Sequence, residues 1–316
     1  MEQELIISRD LEKDIESVVA RQAFDRLFVL TDTTTLRLCW PMVETLPCLA
    51  SARMITIGES DENKTLDSVV HVWTALQQGD ATRHSLLSQV DASVGGKTGI
   101  NFGGLKNEIG IFNCAASVIL SSRFLCSLDH RNLLSGYAEM LKHGLISNGE
   151  IWAELLRFDL AAPDYDGLGT LVAKSVAVKQ RIVEQDPTEK GLRKALNLGH
   201  TAGHALESLA LESGRPVLHG YAVAWGLICE LYLSTVKCGF PKDRMRQTVQ
   251  FIRQHYGEPG IDCKHYERLY DFMKHDKKNE AGVINFTLLA DIGAIRINRQ
   301  ATREEVFEML DFLREG

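Results

Sequence analysis

Short apolar runs alternate with helix-period stretches over the first part of the chain. LFVLT (27–31) ends at Asp32, RMITIG (53–58) follows, and ASVILS (116–121) closes the series. Between them, LDSVVHVWTALQQ puts Leu66, Val69, Val70, Trp73 and Leu76 on one helical face. Strand–helix–strand alternation of this kind predicts a parallel sheet with helices on its faces. After Leu128 the period becomes that of helices throughout. Asp129 stands where it can cap a helix running through Leu133, Tyr137, Met140 and Leu141. Further helices are predicted at roughly 149–158, 167–185, 197–210, 219–237, 242–256 and 263–274. VINFTLLADIGAIRI (283–297) departs from this period and predicts a small hairpin. Thr302-x-x-Glu305 predicts a capping box at the start of the last helix. The pattern therefore predicts an α/β N-terminal domain over 1–128 and a mostly α-helical C-terminal domain over 129–316.

Composition narrows the function classes. The 316 residues are 45% hydrophobic and 24% charged, an ordinary globular balance. A net charge of −7 lacks the basic face of a nucleic-acid binder. No apolar run reaches the length of a membrane span, and the N-terminal MEQELIISRDLEKDIESVV has no signal-peptide pattern. The seven cysteines are scattered and never form C-x-x-C, which reads as reduced thiols in a cytoplasmic protein.

Three stretches carry chemistry. In DASVGGKTGIN, Gly96-Lys97-Thr98 has the end of a P-loop, but the position that needs the first glycine is Asp91. A carboxylate there would repel phosphates, so the stretch reads as a glycine turn presenting Lys97. In SGYAEMLKHGLI, Glu139, Lys142 and His143 fall on one side of a helix; such a Glu–Lys pair is usually a solvated surface pair. In LRKALNLGHTAGHALES, Arg193, Asn197, His200 and His204 recur at helical spacing and share a face, and His219 opens another apolar helix. One carboxylate and two or three histidines from separate helices can meet as a metal site with an open position. The lysine, arginine and asparagine beside them suit an anionic substrate. No H-E-x-x-H motif is present, so a hydrolytic zinc enzyme lacks its carboxylate base.

QVDASVGGKTGIN, GLKNEIGIF, SGYAEMLKHGLI, EQDPTEKGLRKALNLGHTAGHALE, HGYAVAWGL and DKKN together resemble the 3-dehydroquinate synthase family. That family belongs to the sugar phosphate cyclases, related in fold to iron-type alcohol and glycerol dehydrogenases. The resemblance covers most of the chain from residue 88 onward and is looser before it. It implies a dehydroquinate synthase-like fold, with a parallel Rossmann-like sheet in the NAD-binding N-terminal domain and a helical metal- and substrate-binding domain. It implies conversion of 3-deoxy-D-arabino-heptulosonate 7-phosphate into 3-dehydroquinate and phosphate, a step of the shikimate pathway toward aromatic amino acids. NAD and one divalent metal, Zn or Co, are the implied cofactors, and a cytoplasmic homodimer the implied setting.

By this resemblance Glu139, His200 and His219 are the metal ligands, and His204 lies at the substrate phosphate. Lys97, Asn107, Asn197 and one of Lys277 and Lys278 are substrate contacts, mostly at the phosphate end. Lys142 sits near the metal-bound hydroxyls; Lys179 and Arg193 take the carboxylate end. Of these, Lys97, Lys142, Asn197 and His204 are the implied catalytic residues. Asp32, Asp61, Lys64, Asp91 and Lys106 are the implied NAD contacts, with Asp61 standing where the family has glutamate. Arg193 and Lys179 favour a carboxylated substrate over those of other sugar phosphate cyclases; a polyol dehydrogenase would need no phosphate site.

One departure weighs on the cofactor. The family carries, before QVDAS, a strand, a Gly-Gly-Gly turn, a helix, an Arg-Gly pair and a Pro-Thr-Thr. Here GDATRHS runs directly into LLSQVDAS near 85–88. Either the chain lacks the segment, which leaves a catalytically impaired relative, or this sequence is closed up around it. The second is favoured, because losing an interior strand of a parallel sheet exposes a core that a stability of only about 5–15 kcal/mol does not spare.

Overall fold

The computed structural model describes residues 3–24, 26–59, 63, 65–78, 97–102, 105–112, 115–274 and 283–315, with backbone alone at 77–78, 97–102 and 105–112. Asp61, Lys64, Asp91, Lys277, Lys278 and the junction near 85–88 lie outside the described residues, as do the side chains of Lys97, Lys106 and Asn107. The chain divides into two compact units, Met1–Leu128 and Asp129–Gly316.

The first unit runs β1 (Glu4–Ile7), α1 (Leu11–Ala20), β2 (Phe28–Asp32), α2 (Thr33–Leu38), β3 (Arg53–Ile57), α3 (Leu66–Gln78), β4 (Lys97–Phe102), β5 (Leu105–Phe112) and β6 (Ser117–Leu120). β1 pairs parallel with β6, and β2 pairs parallel with β3. Both pairs need crossover connections, the mark of an α/β arrangement. Leu11, Val43, Leu46, Leu49 and Ile119 form its core. Two features depart from the pattern. Lys97 opens β4, which pairs antiparallel with β5, so the lysine belongs to a strand rather than to a turn. On α3, Leu76 is buried, but Leu66, Val70 and Trp73 of the same apolar stripe are exposed. A face selected by period is buried only where another element covers it.

The second unit runs α4 (His130–Ser147), α5 (Gly149–Arg157), α6 (Tyr165–Gln185), α7 (His200–Glu212), α8 (His219–Cys238), α9 (Lys242–Tyr256), α10 (Tyr266–Lys274), β7 (Asn285–Asp291), β8 (Ala294–Gln300) and α11 (Arg303–Glu315). Asp129 caps α4, its Oδ1 accepting the N–H of Asn132 at 2.9 Å. β7 and β8 form the expected antiparallel hairpin. The capping box closes both ways: Thr302 N–H donates to Glu305 Oε2 (2.7 Å), and Glu305 N–H donates to Thr302 Oγ1 (3.3 Å).

α8 is the axis of this unit. It is apolar all round, and from Gly220 to Ser234 nearly every residue is buried, as a helix enclosed on all sides must be. α4, α7, α9, α11 and β7 pack against it. The predicted helix at 197–210 is two elements. Leu192–Asn197 is a 3₁₀ turn, and α7 begins only at His200. Gly199 between them is left-handed (φ 79°), and a Cβ there would lie 2.9 Å from Leu227 and 3.0 Å from Val223 O. Arg193 and Asn197 therefore do not share a helical face with His200 and His204, because the chain turns at a glycine that no side chain could replace. Gly226 of α8 meets this turn directly: a Cβ on it would overlap Gly199 O.

Gly226→Ala should therefore push α7 off α8. Overpacking costs about 1–3 kcal/mol, sometimes more, and urea denaturation should read at least that loss. An unchanged midpoint would mean the two helices part without strain.

Candidate active site

Three helix segments bring the candidate ligands together. Glu139 lies in the middle of α4, His200 is the first residue of α7, and His219 is the first residue of α8. α4 is tied to the start of α8 by Gly220 N–H donating to Ser135 Oγ at 3.0 Å. α7 has no capping side chain of its own. Glu230 of α8, fully buried, supplies the cap: Oε2 accepts from Gly199 N–H (2.7 Å), and Oε1 from Thr201 (3.0 Å) and Ala202 (3.3 Å). A buried carboxylate on three backbone donors at a helix N-terminus is both satisfied and stabilised by the helix dipole. It fixes the residue between those donors, His200.

The ligand atoms converge. Glu139 Oε1 stands 3.4 Å from His200 Nε2 and 3.4 Å from His219 Nε2. This oxygen is buried and accepts no well-formed hydrogen bond, whereas Oε2 is paired with Lys142 Nζ. The Glu139–Lys142 pair is thus buried, with Lys142 only 2% exposed, and not the surface pair that its spacing usually marks. His200 Nδ1 lies 3.1 Å from the carbonyl of Leu198, which can only accept. Nδ1 therefore carries a proton, which leaves Nε2 as the nitrogen that can ligate a cation. His204 joins the cluster: one nitrogen each from His200, His204 and His219 lie within 4.8 Å of one another. An orphaned buried carboxylate oxygen facing two imidazole nitrogens, with a third imidazole beside them, fits a divalent cation of the zinc type.

The electrostatics agree. Burial pushes the Glu139 carboxyl up, but the Lys142 ammonium, followed by His200 and His219, holds it well below the usual carboxylate range. Burial lowers His219, yet the carboxylates of Glu139 and Glu207 outweigh it and raise the imidazole to about 10. His219 is also the accessible member, 44% of its side chain being exposed.

The remaining candidates spread around this centre. His143, next to Lys142, turns away to α6, where Nδ1 is 2.7 Å from Ser175 Oγ, and it is fully buried. Lys179 of α6 and Arg193 of the 3₁₀ turn are buried. Arg193 Nη1 donates to Pro187 O (2.7 Å), and its N–H donates to Asp186 Oδ2 (3.0 Å). Asn197 Nδ2 donates to Glu189 Oε1 at 3.0 Å. In the first unit, Asp32 ends β2 and caps α2, accepting Thr35 N–H at 2.7 Å. Sequence reasoning missed Glu189, Glu207 and Glu230. For Glu230 the signal was present: it is the only charge in the apolar run 222–234 of α8.

The fold is one shared by sugar phosphate cyclases and iron-containing alcohol dehydrogenases. A 2-epi-5-epi-valiolone synthase from Streptomyces hygroscopicus, solved with NAD+ and Zn2+, superposes with a TM-score of 0.84 at 19% identity, over 100% of this chain and 97% of that one. A 2-deoxy-scyllo-inosose synthase, solved with carbaglucose-6-phosphate, NAD+ and Co2+, gives 0.80 at 18% identity, over 99% and 96%. At these identities the likeness is one of fold. Sequence is more specific. The 3-dehydroquinate synthase N-terminal profile matches 83–135 and the C-terminal profile matches 136–279. The 3-dehydroquinate synthase of Parabacteroides distasonis is 45% identical over 348 aligned positions, spanning 100% of this chain and 99% of that protein. The chain belongs to the 3-dehydroquinate synthase family. Those 348 positions exceed the 316 residues here by 32, so the relative carries that many or more with no counterpart in this chain.

Glu230→Gln keeps the volume but turns one acceptor into a donor against backbone N–H groups. It should lower the unfolding free energy by about 1–3 kcal/mol, measured by urea denaturation. A change within about 0.5 kcal/mol, the range of an ordinary surface substitution, would show that the cap is dispensable.

Proposed function

We propose that the chain carries out its family's reaction, closing 3-deoxy-D-arabino-heptulosonate 7-phosphate to 3-dehydroquinate with loss of phosphate. The observation that carries this reading is the buried Glu139 oxygen facing the Nε2 atoms of His200 and His219. These three side chains would hold one divalent metal, Zn or Co, and NAD would be the redox partner; the two cyclases of this fold were solved with NAD+ and with Zn2+ or Co2+. When bound, the metal supplies Lewis-acid polarisation of substrate hydroxyls, and NAD supplies a reversible hydride acceptor.

The chain's own residues do the rest. Lys142 keeps Glu139 anionic and presents an ammonium beside the ligand centre, suited to steadying a developing alkoxide. His204, one turn from His200, offers an imidazole to the phosphate as it leaves. Asn197 and Lys97, with Asn107 and Lys277 or Lys278, would complete the phosphate end. Arg193 and Lys179, both buried, would take the carboxylate. Asp32 ends a parallel strand, where α/β sheets bind cofactors; with Asp61, Lys64, Asp91 and Lys106 it would contact NAD. Residues 1–128 would thus serve the cofactor and 129–316 the metal and substrate. No described helix is long and apolar enough to cross a membrane, consistent with a cytoplasmic enzyme, which we read as a homodimer.

A second reading is favoured by the 32 unmatched positions and the missing glycine turn: a chain that holds metal and substrate but binds NAD weakly. Calorimetric titration with NAD and turnover of the heptulosonate phosphate separate the two. Micromolar binding with NAD-dependent turnover supports the synthase; neither, with metal still bound, supports the impaired relative. His200→Ala should abolish metal uptake and turnover while keeping the circular-dichroism spectrum, and full metal occupancy by elemental analysis would overturn the ligand set.

Arg193→Ala should weaken the true substrate by about 1.5–3 kcal/mol, the worth of a charged hydrogen bond, and affect a sugar phosphate without a carboxylate far less. Equal losses for both ligands, measured by calorimetry, would remove Arg193 from the carboxylate site.

A further inference from the structure

His219 has carboxylates on both sides of its ring. Nε2 faces Glu139 Oε1 at 3.4 Å, and Nδ1 faces Glu207 Oε2 at 3.4 Å. Glu207 lies on α7, three residues beyond His204, and its side chain is only 12% exposed. Of the two histidine ligands, His219 has the less support from packing. Its side chain is 44% exposed against 12% for His200, and it opens a helix whose N-cap, Leu218, makes no side-chain bond. His200 is oriented by a backbone carbonyl, that of Leu198; for His219 the acceptor is the Glu207 side chain.

We propose that Glu207 is a positioning residue, which holds the Nδ1–H of His219 and so aims Nε2 at Glu139 and a bound divalent metal. This rests on the metal reading of the site. An ionised carboxylate can only accept, so the nitrogen facing Glu207 must carry hydrogen. A cation bound at Glu139 then displaces the proton of the other nitrogen and takes up its lone pair, as a metal ligand must offer. A carboxylate behind a ligating imidazole also raises its basicity. Because α7 carries both Glu207 and His200, a single helix fixes one ligand directly and orients the other, which α8 supplies.

The test is Zn2+ affinity of the metal-stripped chain, by competition with a chromophoric chelator. Glu207→Met keeps the volume without the acceptor and should weaken Zn2+ about 10–100-fold. Glu207→Gln, whose amide oxygen can accept the same N–H, should recover most of that loss. Glu212→Ala, on the same helix but paired at the surface with Arg268, should leave the affinity unchanged. With Co2+, the visible spectrum of Glu207→Met should shift as the His219 ring loses its orientation. Wild-type affinity in Glu207→Met, or equal losses in the Met and Gln variants with lowered metal-free melting temperatures, overturns the proposal. A wild-type chain that takes up no stoichiometric Zn2+ refutes the metal reading itself, and the proposal with it.

Discussion

The close approach of α7 to α8 is the constraint on which the site depends. Gly199 and Gly226 let the two backbones come together where any side chain would intervene. At that distance Glu230 reaches from one helix to the open N–H groups of the other. The helix dipole and three charge-assisted hydrogen bonds then repay the burial of a carboxylate that would otherwise be costly. The first residue of each helix is a candidate ligand. The interaction that docks the helices therefore also sets His200 opposite His219.

Around this junction the molecule buries a set of ionisable side chains. Glu139, Lys142, His143, Lys179, Arg193 and Glu230 are all buried. A folded chain keeps such groups only when each has a partner or a task. Lys142 neutralises one oxygen of Glu139, Ser175 meets His143, and the backbone of α7 meets Glu230. The second oxygen of Glu139 faces imidazoles alone. Its depressed pKa keeps it a carboxylate, the form in which it can bind a cation.

Much of this was legible in advance. The helices of the second unit, the 285–300 hairpin and the Thr302–Glu305 box follow from period and capping chemistry, which are local. That one carboxylate and two or three histidines could meet was legible because these residue types stand out on apolar helices; the choice of Glu139, His200 and His219 among them came from the family resemblance. The break at Gly199 was not, because a 3₁₀ turn followed by an α-helix has nearly the spacing of one helix; only the left-handed glycine separates them. The exposure of the α3 stripe was not legible either, since period reports an apolar face and not what covers it.

The sequence by itself thus determined most helices of the second unit, its hairpin and two of its caps, and which residue types could bind a cation and an anion. Tertiary structure alone decided which of those residues meet. Spacing made Glu139–Lys142 a surface pair; packing of α4 against α8 buried it and left one oxygen for the histidines. Spacing placed Glu207 and Glu230 on helices without purpose; the crossing of α7 and α8 set one behind an imidazole and the other on a helix N-terminus. Periodicity is a property of neighbours along the chain, whereas these contacts join residues 12 and 31 positions apart, and only the fold brings such distances to hydrogen-bond length.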